Sequence, residues 1–81
     1  MINKAKLKEW LIEALDANNG RASIVRICEH IWNNHEDELR TSGDMFYTWQ
    51  YDIRWAATVL RGEGKIKDEN LSPRGVWELQ N

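Results

Sequence analysis

The helical spacing of apolar residues halts at Gly62, and the chain beyond it has the character of strands and turns. Before that point the spacing recurs in three stretches. Leu7, Trp10, Leu11, Ala14 and Leu15 follow the i, i+3, i+4, i+7, i+8 pattern of one buried helix stripe. Asn18-Asn19-Gly20 then supplies the residues that tolerate a left-handed helix end. Ser23 is a good N-cap for a second helix from Ile24 to about Asn34, with Ile24, Ile27, Cys28 and Ile31 as its apolar stripe and Trp32 beside it. The third stretch runs from about Thr48 to Arg61. At about 100° per residue, Trp49, Ile53, Trp55, Ala56, Val59 and Leu60 cover one broad side. Gln50, Tyr51, Arg54, Thr58 and Arg61 gather on the other. Asp52 is the one polar residue near the apolar side, expected in the first turn, where a carboxylate suits the helix N-terminus.

Beyond Gly62 and Gly64, Lys65-Ile66-Lys67 and Val76-Trp77-Glu78-Leu79 read as two short strands, rich in β-branched and aromatic residues. The turn-rich segment 68–75 (DENLSPRG) joins them as a hairpin. Between the second and third helices, residues 35–44 (HEDELRTSGD) read as a polar loop or a frayed turn whose local charge is −3. The expected fold is α+β and mostly α. Three helices followed by a two-stranded β-hairpin is the layout of a winged helix-turn-helix, with the hairpin as the wing.

The 81 residues have room for one domain, spanning 1–81. At this size folding buries only about 60–65% of the unfolded chain's surface, so the core must be dense. The five tryptophans supply that density, each able to bury about 150–250 Å². Trp10, Trp49, Trp55 and Trp77 all fall on apolar stripes and are expected in the core. Little apolar material remains for a catalytic pocket, so a small non-catalytic binding module is expected rather than an enzyme. No apolar run approaches the roughly 20 residues of a membrane span. Glu9, Glu13 and Asp16 interrupt any signal-peptide core, and the single cysteine, Cys28, has no partner for a disulfide. A cytoplasmic location is therefore expected.

Neither a metal nor a cofactor is expected. His30 and His35 are spaced i, i+5, which separates them by about 140° on a straight helix, and no third ligand completes a shell. His30 is read as half-exposed and His35 as lying at a helix end. Cys28, on an apolar stripe, reads as a packed core residue rather than a reactive thiol. No Ser/Cys–His arrangement points to nucleophilic catalysis.

Formal net charge is −2, so binding to a polyanion requires a local patch. One is present: from Ile53 to Lys67, Arg54, Arg61, Lys65 and Lys67 stand against Glu63, a local +3. Arg bonds guanine O6 and N7 bidentately, Gln does the same for adenine N6 and N7, and Thr meets a thymine methyl. Gln50, Arg54, Thr58 and Arg61 therefore form a face able to read bases, with Lys65, Lys67 and Arg74 as phosphate contacts on the wing. Tyr47 and Tyr51 are divided between helix-end packing and a phosphate contact from the hydroxyl. Phe46 and Tyr47, in the lead-in to the third helix, are the better candidates for stacking on single-stranded bases.

The segment FYTWQYDIRWAATVLRGEGKI, followed by SPRGVWEL, resembles the N-terminal winged-helix domain of Mrr-like restriction endonucleases. The matching elements are the aromatic lead-in, Arg54-Trp55-Ala56, Leu60, Gly64 and Arg74-Gly75-Val76, within residues 46–79. The resemblance implies a domain that binds double-stranded DNA, with the third helix in the major groove and the wing on the backbone. It also leaves open that Arg54 fixes the wing by pairing with an acidic residue such as Glu78. The carboxylates and Glu/Gln-x-Lys element of that family's nuclease domain are not among these residues, so cleavage is not implied. With an acidic chain, DNA binding is expected to be weak for a monomer, or strengthened in a homodimer that doubles the contacts. The rival reading is an adaptor or dimerisation module, whose protein partner would meet the acidic segment Glu36 to Asp44 and the aromatic lead-in.

Overall fold

In the computed structural model, which describes residues 3–80, the chain is mostly helical with a small antiparallel sheet. The first helix, α1, spans Lys4–Ala17, capped by the Asn3 side chain accepting from the Ala5 N–H at 2.9 Å. Its buried residues are Leu7, Trp10, Leu11, Ala14 and Leu15, the whole of the stripe read from the sequence. It ends as its asparagines and glycine dictate. Asn19 takes φ 63°, and the Gly20 N–H reaches back to the Leu15 carbonyl at 2.6 Å.

Strand β1 (Arg21–Ser23) comes next, and then α2 (Ile24–Arg40). Ser23 caps α2 as expected, its hydroxyl accepting from the Arg26 N–H at 3.1 Å. The expected loop from His35 is instead a continuation of the helix beyond a kink at His35, where φ is −133°. Two contacts hold the extension. Leu39 is fully buried, and Arg40 Nε donates to Glu36 Oε2 at 2.7 Å. The apolar period is hidden because the kink changes the phase between Ile31 and Leu39. His35 thus lies inside the helix and not at its end.

The third helix, α3, spans Met45–Gly62, longer at its start than the apolar spacing indicated. Gly64, at φ 75°, lets the Lys65 N–H close on the Leu60 carbonyl at 2.9 Å, ending α3 as α1 ends. Trp49, Ile53, Ala56, Ala57 and Leu60 are buried, and α3 packs on α1 in the most extensive helix pairing of the fold. Each fully buried Leu or Ile contributes about 1.5–3 kcal/mol by leaving water. Two expectations for this helix are corrected. Trp55 is 39% exposed, because it turns to the rim beside Lys4, whose Nζ lies 5.5 Å from its ring centre. Asp52 lies in the middle of α3, 5% exposed, where Thr48 Oγ1 donates to it at 2.7 Å and Lys4 Nζ stands 3.6 Å away.

The sheet also differs from a simple hairpin. Strand β2 (Val76–Glu78) pairs antiparallel with β1, matching Arg21 with Glu78, Ala22 with Trp77 and Ser23 with Val76. The segment 65–67 joins the other edge through a single bridge, Ile66 with Leu79. The Lys67 N–H donates to the Glu78 carbonyl at 2.9 Å, and the Gln80 N–H to the Lys65 carbonyl at 3.0 Å. The C-terminal strand is therefore central, with a residue run from between α1 and α2 on one side. Three-residue strands are too short to show a period, which is why β1 is invisible in the sequence. A single 3₁₀ turn, Glu69–Leu71, lies in the connection. Among the described residues no helix is long and apolar enough to cross a membrane.

Candidate nucleic-acid interface

One exposed stripe runs the length of α3. Tyr47, Gln50, Tyr51, Arg54 and Thr58 are exposed along it, and Arg61 ends it half-buried. These are the i, i+3, i+4 neighbours that a helix sets on one face. The stripe's C-terminal half borders a cleft of about 560 Å³ between α3 and the segment running from Glu69 to Trp77. Arg54, Thr58 and Arg61 approach it from the helix and Arg74 from the facing segment. Ile24, Val76 and Trp77 give it an apolar floor, and Glu69 and Asn70 stand at its edge. Thr58 Oγ1 is engaged with the Arg54 carbonyl at 3.1 Å, as a helical threonine commonly is.

The distribution of ion pairs separates the cations into two groups. Seven of the eleven Lys and Arg side chains pair with a carboxylate. The four that make no such pair among the described residues are all arginines: Arg21, Arg54, Arg61 and Arg74. Three of those four line the cleft. Arg61 carries a further mark, since its Nε is buried and makes no hydrogen bond among the described residues. A buried donor without a partner costs about 1–3 kcal/mol, so this guanidinium is held at a position that favours an acceptor.

The lysines of the expected wing are placed differently. Lys65 Nζ lies 3.8 Å from Glu63, which Lys8 also contacts at 3.0 Å. The Lys8 hydrogen bond holds the Glu63 carboxyl below its ordinary range. Lys67 Nζ lies 3.5 Å from Glu78, the carboxylate weighed as a partner for Arg54. Neither lysine lines the arginine cleft: Lys65 faces α1 and Lys67 faces the turn after it.

A second groove, of about 600 Å³, lies between α2 and α3 and is lined by Val25, Cys28, Trp32, Trp49 and Gln50. Ile24 and Arg54 border both depressions, so the two are contiguous. Burial pushes the Cys28 thiol up, with the nearby Arg54 charge pulling more weakly in the opposite direction. A raised thiol is a poor nucleophile, in keeping with a packing role. Val25, 72% exposed at this groove, and Asn70 at the cleft escaped the sequence reading. Their only signal was a turn-rich segment and an apolar residue off the helical stripe.

Elsewhere, His30 Nε2 and His35 Nε2 both meet the same oxygen of Glu13, at 2.8 and 2.9 Å. The kink at His35 brings together two imidazoles that a straight helix would hold apart. No three His, Cys, Asp or Glu side chains among the described residues are placed to hold a metal ion.

The chain matches no family model, no curated protein and no solved structure.

Proposed function

We propose that this protein is a non-catalytic double-stranded DNA-binding domain of the winged helix-turn-helix kind. In this reading α3 enters the major groove, with Gln50, Arg54 and Thr58 toward base edges, while Arg61 and Arg74 clasp a backbone phosphate across the cleft. The observation that carries it is the convergence of three carboxylate-free arginines on one cleft in a chain of net charge −2. An acidic protein in which three of the four cations without a carboxylate partner face one depression has the local field that a polyanion needs.

Two further features support the reading. The helices α2 and α3 are joined by the short turn 41–44, and β2 is flanked by β1 and by Ile66, an arrangement compatible with a wing packed beside α3. The segment 46–79, which resembles the Mrr-like N-terminal domain, contains all but the first residue of α3 and the three arginines of the cleft. The adaptor reading loses ground because its proposed contact surface is partly engaged within the chain. Glu36 is tied to Arg40 and Glu38 to His35, and Arg40 lies over the Trp32 and Phe46 rings at 5.2 and 5.9 Å.

The test is a fluorescence-anisotropy titration of random duplex DNA at low salt, comparing the wild type with Arg54→Ala/Arg61→Ala/Arg74→Ala. The triple variant is expected to lose at least tenfold in affinity, since each lost phosphate contact weakens the counterion-release contribution. Equal affinities would remove the cleft from the interface and sink the proposal.

A further inference from the structure

Two buried side-chain polar atoms make no hydrogen bond among the described residues, Arg61 Nε and Ser72 Oγ, and both residues line the arginine cleft. They stand on its two walls, Arg61 on α3 and Ser72 just after the 3₁₀ turn. The Ser72 hydroxyl lies near the Glu78 carboxylate and draws it below its ordinary range, but without the geometry of a hydrogen bond. Buried polar atoms are nearly always paired, so two exceptions in one cleft point to a partner from outside the chain. A hydroxyl rotates to suit its partner and a guanidinium presents five N–H donors, so both side chains can turn to an anion between them. Arg74 is already fixed beside them. The Pro73 carbonyl accepts from the Val76 N–H at 3.1 Å, and the carbonyl of Gly75, at φ 77°, accepts from the Ile24 N–H at 2.9 Å. The backbone that carries Arg74 is thus held before a ligand arrives.

We infer that this cleft seats a phosphomonoester, the terminal phosphate of a DNA strand, in preference to a phosphate inside the strand. This occupant rests on the DNA-binding reading above and narrows it. Charge selects the monoester. Arg54, Arg61 and Arg74 against Glu69 give the lining a formal +2. A phosphate inside the strand carries a single negative charge, whereas a monoester carries about −1.5 to −2 and three acceptor oxygens. Arg61 and Arg74, each with a bidentate edge, and the Ser72 hydroxyl supply donors for all three. Arg54, which borders both depressions, adds its field from the α3 stripe.

Room and polarity select a strand end. The cleft of about 560 Å³ falls within the range of small-molecule sites, about 300–1,000 Å³, so it takes more than the phosphate group. Its floor of Ile24, Val76 and Trp77 offers the terminal sugar and base an apolar surface. A base inside a duplex is stacked on both faces, whereas a terminal one has a face free to meet that floor.

The experiment uses DNA hairpins of one sequence, labelled in the loop, whose ends bear hydroxyls only, a 5′-phosphate or a 3′-phosphate. Anisotropy titrations at low salt compare the wild type with Arg74→Ala, a change at an exposed side chain that leaves the core intact. The wild type is expected to bind one phosphorylated hairpin about tenfold more tightly than the hydroxyl form, the scale of one hydrogen bond to a charged group. Arg74→Ala should bring those two affinities within about twofold of each other. Methylating the preferred phosphate, which makes it a diester, should remove most of the gain. Equal affinity for all the hairpins overturns the inference and spares the DNA reading. A preference that survives in Arg74→Ala, or an equal gain from the methyl ester, also overturns it. If no hairpin binds, the DNA reading falls and titration calorimetry with thymidine 5′-monophosphate decides the site. Heat that is lost in Arg74→Ala then keeps the phosphomonoester, with a free nucleotide as its source, and no heat overturns it.

Discussion

The imidazole of His35 lies flat against the indole of Trp10, with ring centres 4.1 Å apart and planes 10° from parallel. The contact joins the kink of α2 to the core face of α1, and both ring nitrogens are engaged: Nε2 at 2.9 Å from Glu13 and Nδ1 at 3.1 Å from Glu38. Carboxylates only accept, so both bonds form together only when the ring carries a proton on each nitrogen. A pattern that reads as a polar loop in sequence is thereby clamped to the first helix.

Glu13 gives this clamp a pH dependence. Burial is the largest single influence on its carboxyl and pushes it up, but hydrogen bonds and charge from His35 and His30 together outweigh burial and hold it below its ordinary value. A folded-state value below the unfolded one stabilises the fold above about pH 4.5 and loses that contribution as pH falls through the lowered value. Thermal melts between neutral and strongly acidic pH should show Glu13→Gln losing less stability on acidification than the wild type. Parallel curves for the two proteins would show that the Glu13 carboxylate does not hold the clamp.

The two tryptophans of α3 should differ sharply when truncated. Trp49 is 4% exposed and stacks with Trp32 at 6.4 Å, whereas Trp55 sits at the rim. Trp49→Ala is expected to cost about 3–5 kcal/mol by urea denaturation, enough to unfold much of a domain this small. Trp55→Ala should cost about 1 kcal/mol, the lost cation–π contact with Lys4 and partial burial. Similar costs for the two would contradict their different placement.

Thr48 and Asp52 form a part-buried hydrogen bond of 2.7 Å within α3. Replacing Thr48 by valine keeps the shape and removes the donor, leaving a buried carboxylate with one fewer partner. The expected loss is about 1.5–3 kcal/mol of unfolding free energy, the range for a hydrogen bond to a charged group. A loss below about 0.5 kcal/mol would mean that Lys4 alone satisfies Asp52.

Salt dependence should separate the two classes of cation on the proposed interface. Each phosphate contact removed lowers the slope of log affinity against log salt by about 0.9. Arg61→Ala and Arg74→Ala should each reduce it by about that amount. Lys65→Ala/Lys67→Ala should leave it nearly unchanged, since both lysines are paired to carboxylates away from the cleft. The reverse pattern would move the phosphate path from the cleft to the sheet edge.

Local periodicity and cap residues alone determined that there are three helices, the full buried stripe of α1, its stop at Asn18-Asn19-Gly20, the Ser23 cap and the polar face of α3. Each of these depends on residues within a turn or two of one another, so the spacing of residue types carries the information. What tertiary structure decided involves partners far apart in the chain. The Ser23–Val76 register of the sheet, the Glu13 clamp on His30 and His35, and the turning of Trp55 toward Lys4 are of this kind. The same holds at the proposed interface: α3 displays Arg54 and Arg61 by its own geometry, but Arg74 reaches them only because the C-terminal strand returns beside the helix. Charge patterning counted Lys65 and Lys67 as equal to those arginines, and only folding set Glu78 beside Lys67 and turned both lysines away from the cleft.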